Sequence, residues 1–291
     1  MPETETLPLR PDIHHEPPDV AHFSVVQRPL SVWERAWNNG VLRKAVLLAA
    51  LALVWQLYAM RLANPLLVPT FTDTVAAFRD AILRGGLLGK AGDSIRIPLI
   101  GYAAGLLLAA ILTSLAITSR IGTDLVESLT AMFNPLPAIA LLPLALIWFG
   151  LGTGSLVFVL IHSVLWAVAL NTHSGFMAVS NTLRMVGRNY GLRGLPYVAR
   201  ILVPAAFPSI LTGLKIGWAF AWRTLIAAEL VFGVSSGGGG LGWFIFENKN
   251  QLEIANVFAG LFSVILIGLA VENIVFRTIA ARTVQRWGMQ G

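Results

Sequence analysis

Arg223 lies deep in a long apolar run, among Trp218, Phe220, Trp222 and Leu225. A charge at such a position costs about 2.5–3.5 kcal/mol on insertion scales, so it needs a counter-charge or a wet cavity. Its planar fork of N–H donors suits the paired oxygens of a carboxylate, a sulfonate or nitrate. Glu229 is the obvious acid in sequence. Six positions along a helix put the two on different sides, however, because same-face neighbours lie three or four apart. Two accounts therefore stand side by side. Arg223 forms a structural ion pair with another helix or a second copy of the chain, or it offers a fixed positive charge to an anion in a passage.

Other residue types narrow the chemistry. There is no cysteine, which removes disulfides, zinc-thiolate sites and thiol chemistry. His162 and His173 stand most of a helix apart with no acid beside them and read as satisfied or interfacial histidines. His14 and His15 lack further ligands and read as part of a solvated tail. No Ser–His–Asp arrangement is suggested. The glycine-rich stretch Ser235 to Gly242 lacks the Gly-Lys-Ser/Thr ending of a phosphate loop and follows an apolar helix rather than a strand. Nothing here supports membrane-enzyme chemistry, and no cofactor is expected in this chain.

The elements that must position Arg223 are membrane helices. Hydrophobic residues make up 56% of the 291 residues and charged residues only 12%, which points to an all-α, polytopic membrane protein. The net charge of +6 does not indicate nucleic acid, since the positive residues flank apolar runs and form no basic face of their own. Six crossings are expected: about Lys44–Leu62, Ile95–Thr118, the run Asn134–Gly152, about Gly154–Asn171, about Pro204–Val234 and about Ile254–Phe276. Residues 1–43 form a polar tail in which Ser31 and Glu34 make a capping box, with Trp33 and Trp37 on one face of a short interfacial helix. No signal peptide is expected, because the first apolar run begins late. Residues 44–286 form the transmembrane domain.

Between the crossings, Thr70 or Thr72 caps an amphipathic helix that Gly85-Gly86 stops. Gly101-x-x-x-Gly105 and Gly213-x-x-x-Gly217 allow close helix approach. Arg120–Glu127 reads as a short turn, and Ser235–Gly242 as an outer loop. Pro135, Pro137 and Pro143 interrupt the third run. The carbonyls they free survive in a membrane only against protein or a wet cavity, so a kinked packing helix and a binding site both remain open.

The segment Asn181–Pro208 is a polar island holding Arg184, Arg188, Arg193 and Arg200. By the positive-inside tendency it faces the cytoplasm. Both termini share that side, with Arg120 and the C-terminal Arg277, Arg282 and Arg286. Its pattern is a short helix, a glycine break at Gly191, and a second helix leading to Pro204, with Pro204 or Pro208 opening the next crossing. Without a phosphate loop in the chain, any power for transport comes from another polypeptide. A subunit of a powered importer and a self-sufficient carrier or channel for small anions are the two classes left, and no clear repeat between the halves favours a carrier.

Gly191, Ile201, Val203 and Pro204 match the G…I-x-L-P spacing of the EAA loop in permease subunits of ABC importers. The segment resembles that loop at about residues 181–204, although Met185, Val186 and Gly187 stand where the family has Glu-Ala-Ala, leaving Arg188 to supply the charge. Pro135 to Leu144 with Trp148 to Gly152 is similar to the proline-rich third helix of the nitrate/sulfonate/taurine/bicarbonate branch. Ala221-Trp222, Ala227-Ala228-Glu229 and Gly240 to Trp243 are similar to that branch's fifth helix and following loop.

The resemblance implies a type I ABC importer permease (MetI-like) fold and a coupling surface at Met185, Gly187, Arg188, Tyr190, Gly191 and Leu192. It implies a substrate path for a small anion, here placed at Arg223, Trp222, Glu229, Asn134 and Pro137. It also implies partners: a second copy of the chain, cytoplasmic ATPase subunits that bind ATP and magnesium, and a periplasmic or lipid-anchored substrate-binding protein, all at a bacterial cytoplasmic membrane. The branch includes importers of nitrate, bicarbonate, alkyl sulfonates, taurine, aromatic acids and vitamin precursors, and the resemblance does not say which of these, or which other organic acid, this chain takes.

Overall fold

The computed structural model describes residues 31–117, 119–232, 239–286 and 288. The polar tail before Ser31 and the first half of the glycine-rich stretch, residues 235–238, lie outside the described residues. The chain divides into two units, residues 1–52 and 53–291.

In the first unit, helix α1 (Val32–Asn38) opens on the expected capping box. Ser31 N donates to Glu34 Oε2 at 2.7 Å, and Glu34 N donates to Ser31 Oγ at 3.2 Å. Trp37 is exposed, and the side chain of Trp33 lies outside the described residues. Helix α2 (Gly40–Leu62) begins before the basic pair Arg43-Lys44, because Asn39 Oδ1 accepts from Val41 N at 3.0 Å and caps it.

In the second unit every regular element among the described residues is helical. The end of α2 is fastened by Trp55, whose Nε1 donates to Pro69 O at 3.0 Å and whose ring meets Phe71 and Phe258. Helix α3 (Phe71–Leu83) is capped by Thr70, with Asp73 N donating to its hydroxyl at 3.1 Å. Gly86, at φ +65°, reverses the chain after it. Helix α4 (Leu87–Ala116) starts well before Ile95, since Lys90, Asp93 and Ser94 are polar and carry no membrane signal in sequence although they are helical.

The core is α4 and α11 (Phe207–Phe232) packed on α7 (Thr153–Met177). Leu160 and Val164 of α7 are fully buried. Small residues set the spacing: a methyl at Gly105 would stand 2.8 Å from Val164 Cβ, and one at Gly213 2.8 Å from Asn171 Cβ. Both small-residue patterns thus fall where helices touch, as expected. Helix α7 runs past Asn171 because its polar end still forms helical backbone bonds, Ala178 N donating to Ser174 O at 3.0 Å.

Two expectations need correction. Residues 120–127 are not a turn: they begin helix α5 (Arg120–Phe133), capped by Ser119, whose hydroxyl accepts from Gly122 N at 2.9 Å. The charges of Asp124 and Glu127 lie on a helix whose Val126 and Thr130 are buried. The outer loop does not reach Gly242 either, because helix α12 (Leu241–Asn250) starts at Leu241. After α5 the chain bends by 87° into a 3₁₀ turn (Ala138–Leu141) and α6 (Leu142–Phe149). Pro135 and Pro137, without N–H groups, cannot continue α5, while Pro143 sits in the first turn of α6, where its missing donor is harmless.

The segment after α7 folds as two short helical pieces: α8 (Asn181–Asn189), then α9 (Gly194–Tyr197), a π turn and α10 (Val203–Ala205). A bend of 81° leads into α11, which Pro208 opens. Helix α13 (Ile254–Ala270) continues through two π turns and α14 (Arg277–Ala280) as far as Gln285, so Arg277 and Arg282 ride on the same helical rod. Among the described residues four helices are long and apolar enough to cross a membrane, and the two bent pairs raise the number to six when each counts as one crossing.

Candidate functional site

Three segments meet around a cavity of about 390 Å³. The first is the break between α5 and the 3₁₀ turn, with Phe133, Asn134 and Pro137. Leu136 N reaches Phe133 O at 3.1 Å and Ala140 N reaches Pro137 O at 2.9 Å, so the broken backbone closes on itself while the prolines line the opening. The second is α7, with His162, Ser163 and Trp166. The third is α11, with Phe220, Arg223, Thr224 and Ala227. The α11 residues are spaced three, four and seven apart, which is one face of a helix.

Arg223 is the single charged side chain among the described lining residues. Its Nε donates to Ala219 O at 3.0 Å, and its guanidinium lies 5.4 Å from the centre of the Phe220 ring. No acid pairs with it among the described residues. The residue is exposed and borders the cavity. Beside it, the rings of Phe133 and Trp166 stack at 5.1 Å with 17° between their planes. His162 meets both rings edge-on at 6.2 Å. Both ring nitrogens of His162 and the Trp166 Nε1 are buried without a hydrogen-bond partner, and His173 Nε2 is likewise unpaired. Among the described residues His162 is thus left without a partner at either nitrogen and His173 at one, and an unpaired buried group costs about 1–3 kcal/mol.

The residues expected on the substrate path separate. Arg223, Asn134 and Pro137 line the cavity; Trp222 and Glu229 do not. Trp222 is buried on the opposite face of α11, its ring stacked against Trp218 at 6.4 Å. Glu229 is buried and bound to structure: Gly242 N donates to its Oε2 at 2.8 Å and Ser94 Oγ at 3.3 Å. Ser94 Oγ in turn accepts from Leu241 N at 2.7 Å. The two side chains therefore satisfy the exposed amides at the start of α12, where a carboxylate is also favoured by the helix dipole. Phe133, His162, Trp166, Phe220 and Thr224 complete the cavity wall. Only the α11 members carry a sequence signal, as the face that Arg223 defines.

Residues 101–288 match the family of binding-protein-dependent transport system inner membrane components. The chain belongs to this family of ABC transporter permeases. A protein of Methanocaldococcus jannaschii, provisionally named an ABC transporter permease, is 30% identical over 81% of this chain and 89% of its own length. A nitrate import permease protein of Synechocystis sp. is 30% identical over 82% of this chain and 88% of its own. A bicarbonate transport system permease protein of Synechococcus elongatus is 27% identical over 89% and 92%. This permease is thus the transmembrane part of a system whose ATPase is a separate subunit.

The permease's arginine-rich segment presents a second arrangement. Gly191, at φ +72°, and Gly194, at φ +57°, hold the turn between α8 and α9 in the left-handed region that favours glycine. Met185, Arg188, Tyr190 and Gly191 are exposed, and Leu192 is half-buried. Gly187 faces inward instead: a methyl there would stand 2.8 Å from Ile201 Cγ1 and 3.0 Å from the Tyr197 ring, so it lets the two short helices close on each other. Arg184 reaches back to the carbonyls of Phe176 and Val179 and ties α8 to the end of α7. Arg188, Arg193, Leu192 and Tyr197 border a second cavity of about 350 Å³.

Proposed function

We propose that two copies of this permease form the path of a small anion across a bacterial cytoplasmic membrane, with both termini and the 181–204 segment in the cytoplasm. A periplasmic or lipid-anchored binding protein delivers the anion. Cytoplasmic ATPase subunits, which hold the ATP and magnesium, dock on Met185, Arg188, Tyr190, Gly191 and Leu192 through a surface that Gly187 and the α8–α9 turn shape. The chain itself catalyses no reaction. The relatives named for nitrate and bicarbonate support an anionic solute.

The observation that carries this reading is Arg223. A guanidinium on a membrane helix, without an acid and bordering a cavity, offers a fixed charge where a solute passes. Asn134 and Pro137 border the same space at the chain break. Membership of the permease family sets aside the self-sufficient carrier.

Reconstituted vesicles with the ATPase and binding protein test the reading. Arg223→Ala is expected to assemble and keep basal ATP hydrolysis while anion uptake is abolished, and Arg223→Lys to restore uptake in part. Uptake by the alanine variant at the wild-type rate removes Arg223 from the path. Single cysteines at Arg188 and Ser236 test orientation, since they are expected to label from opposite sides of intact cells.

A further inference from the structure

We infer that the solute is an organic anion with a flat apolar body and one carboxylate or sulfonate, an aryl or heteroaryl acid, rather than a bare inorganic oxyanion. The inference rests on the reading of the Arg223 cavity as part of the solute path. Size is the first argument. Nitrate and bicarbonate fill about the space of one or two waters, each roughly 30 Å³. The cavity, at about 390 Å³, falls instead among sites for small organic molecules, roughly 300–1,000 Å³.

The wall is the second argument. An inorganic oxyanion presents acceptors on every side and needs donors all round it. Here Pro135, Pro137, Ile139 and Ala227 offer no side-chain donor, Ser163 spends its hydroxyl on Leu160 O at 2.8 Å, and Asn134, His162, Trp166 and Thr224 offer uncharged groups. The positive charge comes from one residue, whose Nε is already engaged by Ala219 O. That leaves a single charged anchoring point among the described lining residues, suited to one carboxylate or sulfonate. The remaining surface is aromatic. Phe220 lies under the guanidinium, and the stacked Phe133–Trp166 pair with His162 supplies ring faces and edges. A flat ring packs on such a surface by offset or edge-to-face contact. Charge at one end and aromatic wall beyond it are the complement of an aryl acid.

The test is calorimetric binding to the full-length permease in lipid nanodiscs with its ATPase, using benzoate, benzenesulfonate, nitrate and bicarbonate as probes. Benzoate or benzenesulfonate is expected to bind about ten-fold or more tighter than nitrate. Phe133→Leu and Trp166→Leu are expected to shrink that ratio, and Arg223→Ala, or Arg223→Lys if the first variant does not fold, to weaken all four probes. Nitrate binding as tightly as the aryl acids, with Arg223 still required, overturns the inference and leaves the path reading standing. An aryl preference untouched by Phe133→Leu and Trp166→Leu places the selectivity elsewhere and overturns it too. Undiminished binding of every probe to the Arg223 variants removes the path reading and the inference together.

Discussion

Helix α11 carries three ionisable groups; Lys215 pairs with Glu272 at 3.4 Å, and the other two, Arg223 and Glu229, lie on two faces and live differently. On one face Arg223 stands beside Phe220, Thr224 and Ala227 at an open cavity, held only by a backbone carbonyl and an aromatic ring. On the other, Glu229 is buried beyond the stacked Trp218 and Trp222, and its carboxylate is engaged by Ser94 and Gly242. The lesson is that a charge in a membrane helix does not by itself mark a path. Glu229 has its donors within the chain and serves to fix α4, α11 and α12 together. Arg223 has no such partner among the described residues and borders the cavity.

The largest effect expected from this contrast is on folding. Glu229→Ala leaves the Gly242 amide and Ser94 hydroxyl without their acceptor inside the bundle, at about 1–3 kcal/mol for each orphaned group. Thermal unfolding in detergent should show a marked loss of folded protein for Glu229→Ala and a near wild-type melt for Arg223→Ala. Equal melts for the two variants would break the comparison. Next comes Gly105→Val, which forces a side chain into Val164 and should destabilise by about 1–3 kcal/mol through overpacking. Its melt should fall, while any surviving protein keeps its preference among anions; a changed preference would tie that packing to the path.

Gly191→Val should act in a third way. A β-branched residue at φ +72° is strained by roughly 1–2 kcal/mol, and the strain falls on the turn between α8 and α9. Co-purification should then recover the permease with less than stoichiometric ATPase, or with hydrolysis that no longer responds to substrate. Normal stoichiometry and stimulation would argue against a coupling role. A smaller effect than that of Glu229→Ala is expected from Ser94→Ala, which orphans one buried amide, Leu241 N, in place of two groups, at about 1–3 kcal/mol. A drop in the melt with unchanged uptake fits the structural face of α11. A large uptake defect with an unchanged melt would move that face into the path.

Much of the bundle was legible in the sequence because its signals are local. Apolar length, prolines at the third run, a threonine cap before α3 and small residues four apart each act over one turn or one span. The turn at Gly191 was legible for the same reason, since a left-handed position leaves a glycine behind. What escaped was helix without membrane character. Residues 87–94 and 120–127 carry charges and glycines that read as loop, yet their backbone bonds continue the neighbouring helices. Helix α12 escaped more completely, because its N-terminus is satisfied by Glu229 on the preceding helix and by Ser94, which lies 147 residues away along the chain.

The candidate site divides along the same line. The sequence by itself determined that the chain is a membrane bundle with an arginine-rich polar segment, and that Arg223 and Glu229 do not share a side of their helix. Those follow from composition and from the 3.6-residue period, which need no partner element. Only the tertiary structure decided which of the two charges borders a cavity, and that Phe133, His162 and Trp166 stand there with Arg223 while Trp222 turns away. That outcome depends on how α7 meets the bend after α5. The side chains that meet there come from separate helices, and no periodicity within one helix records what another will bring against it.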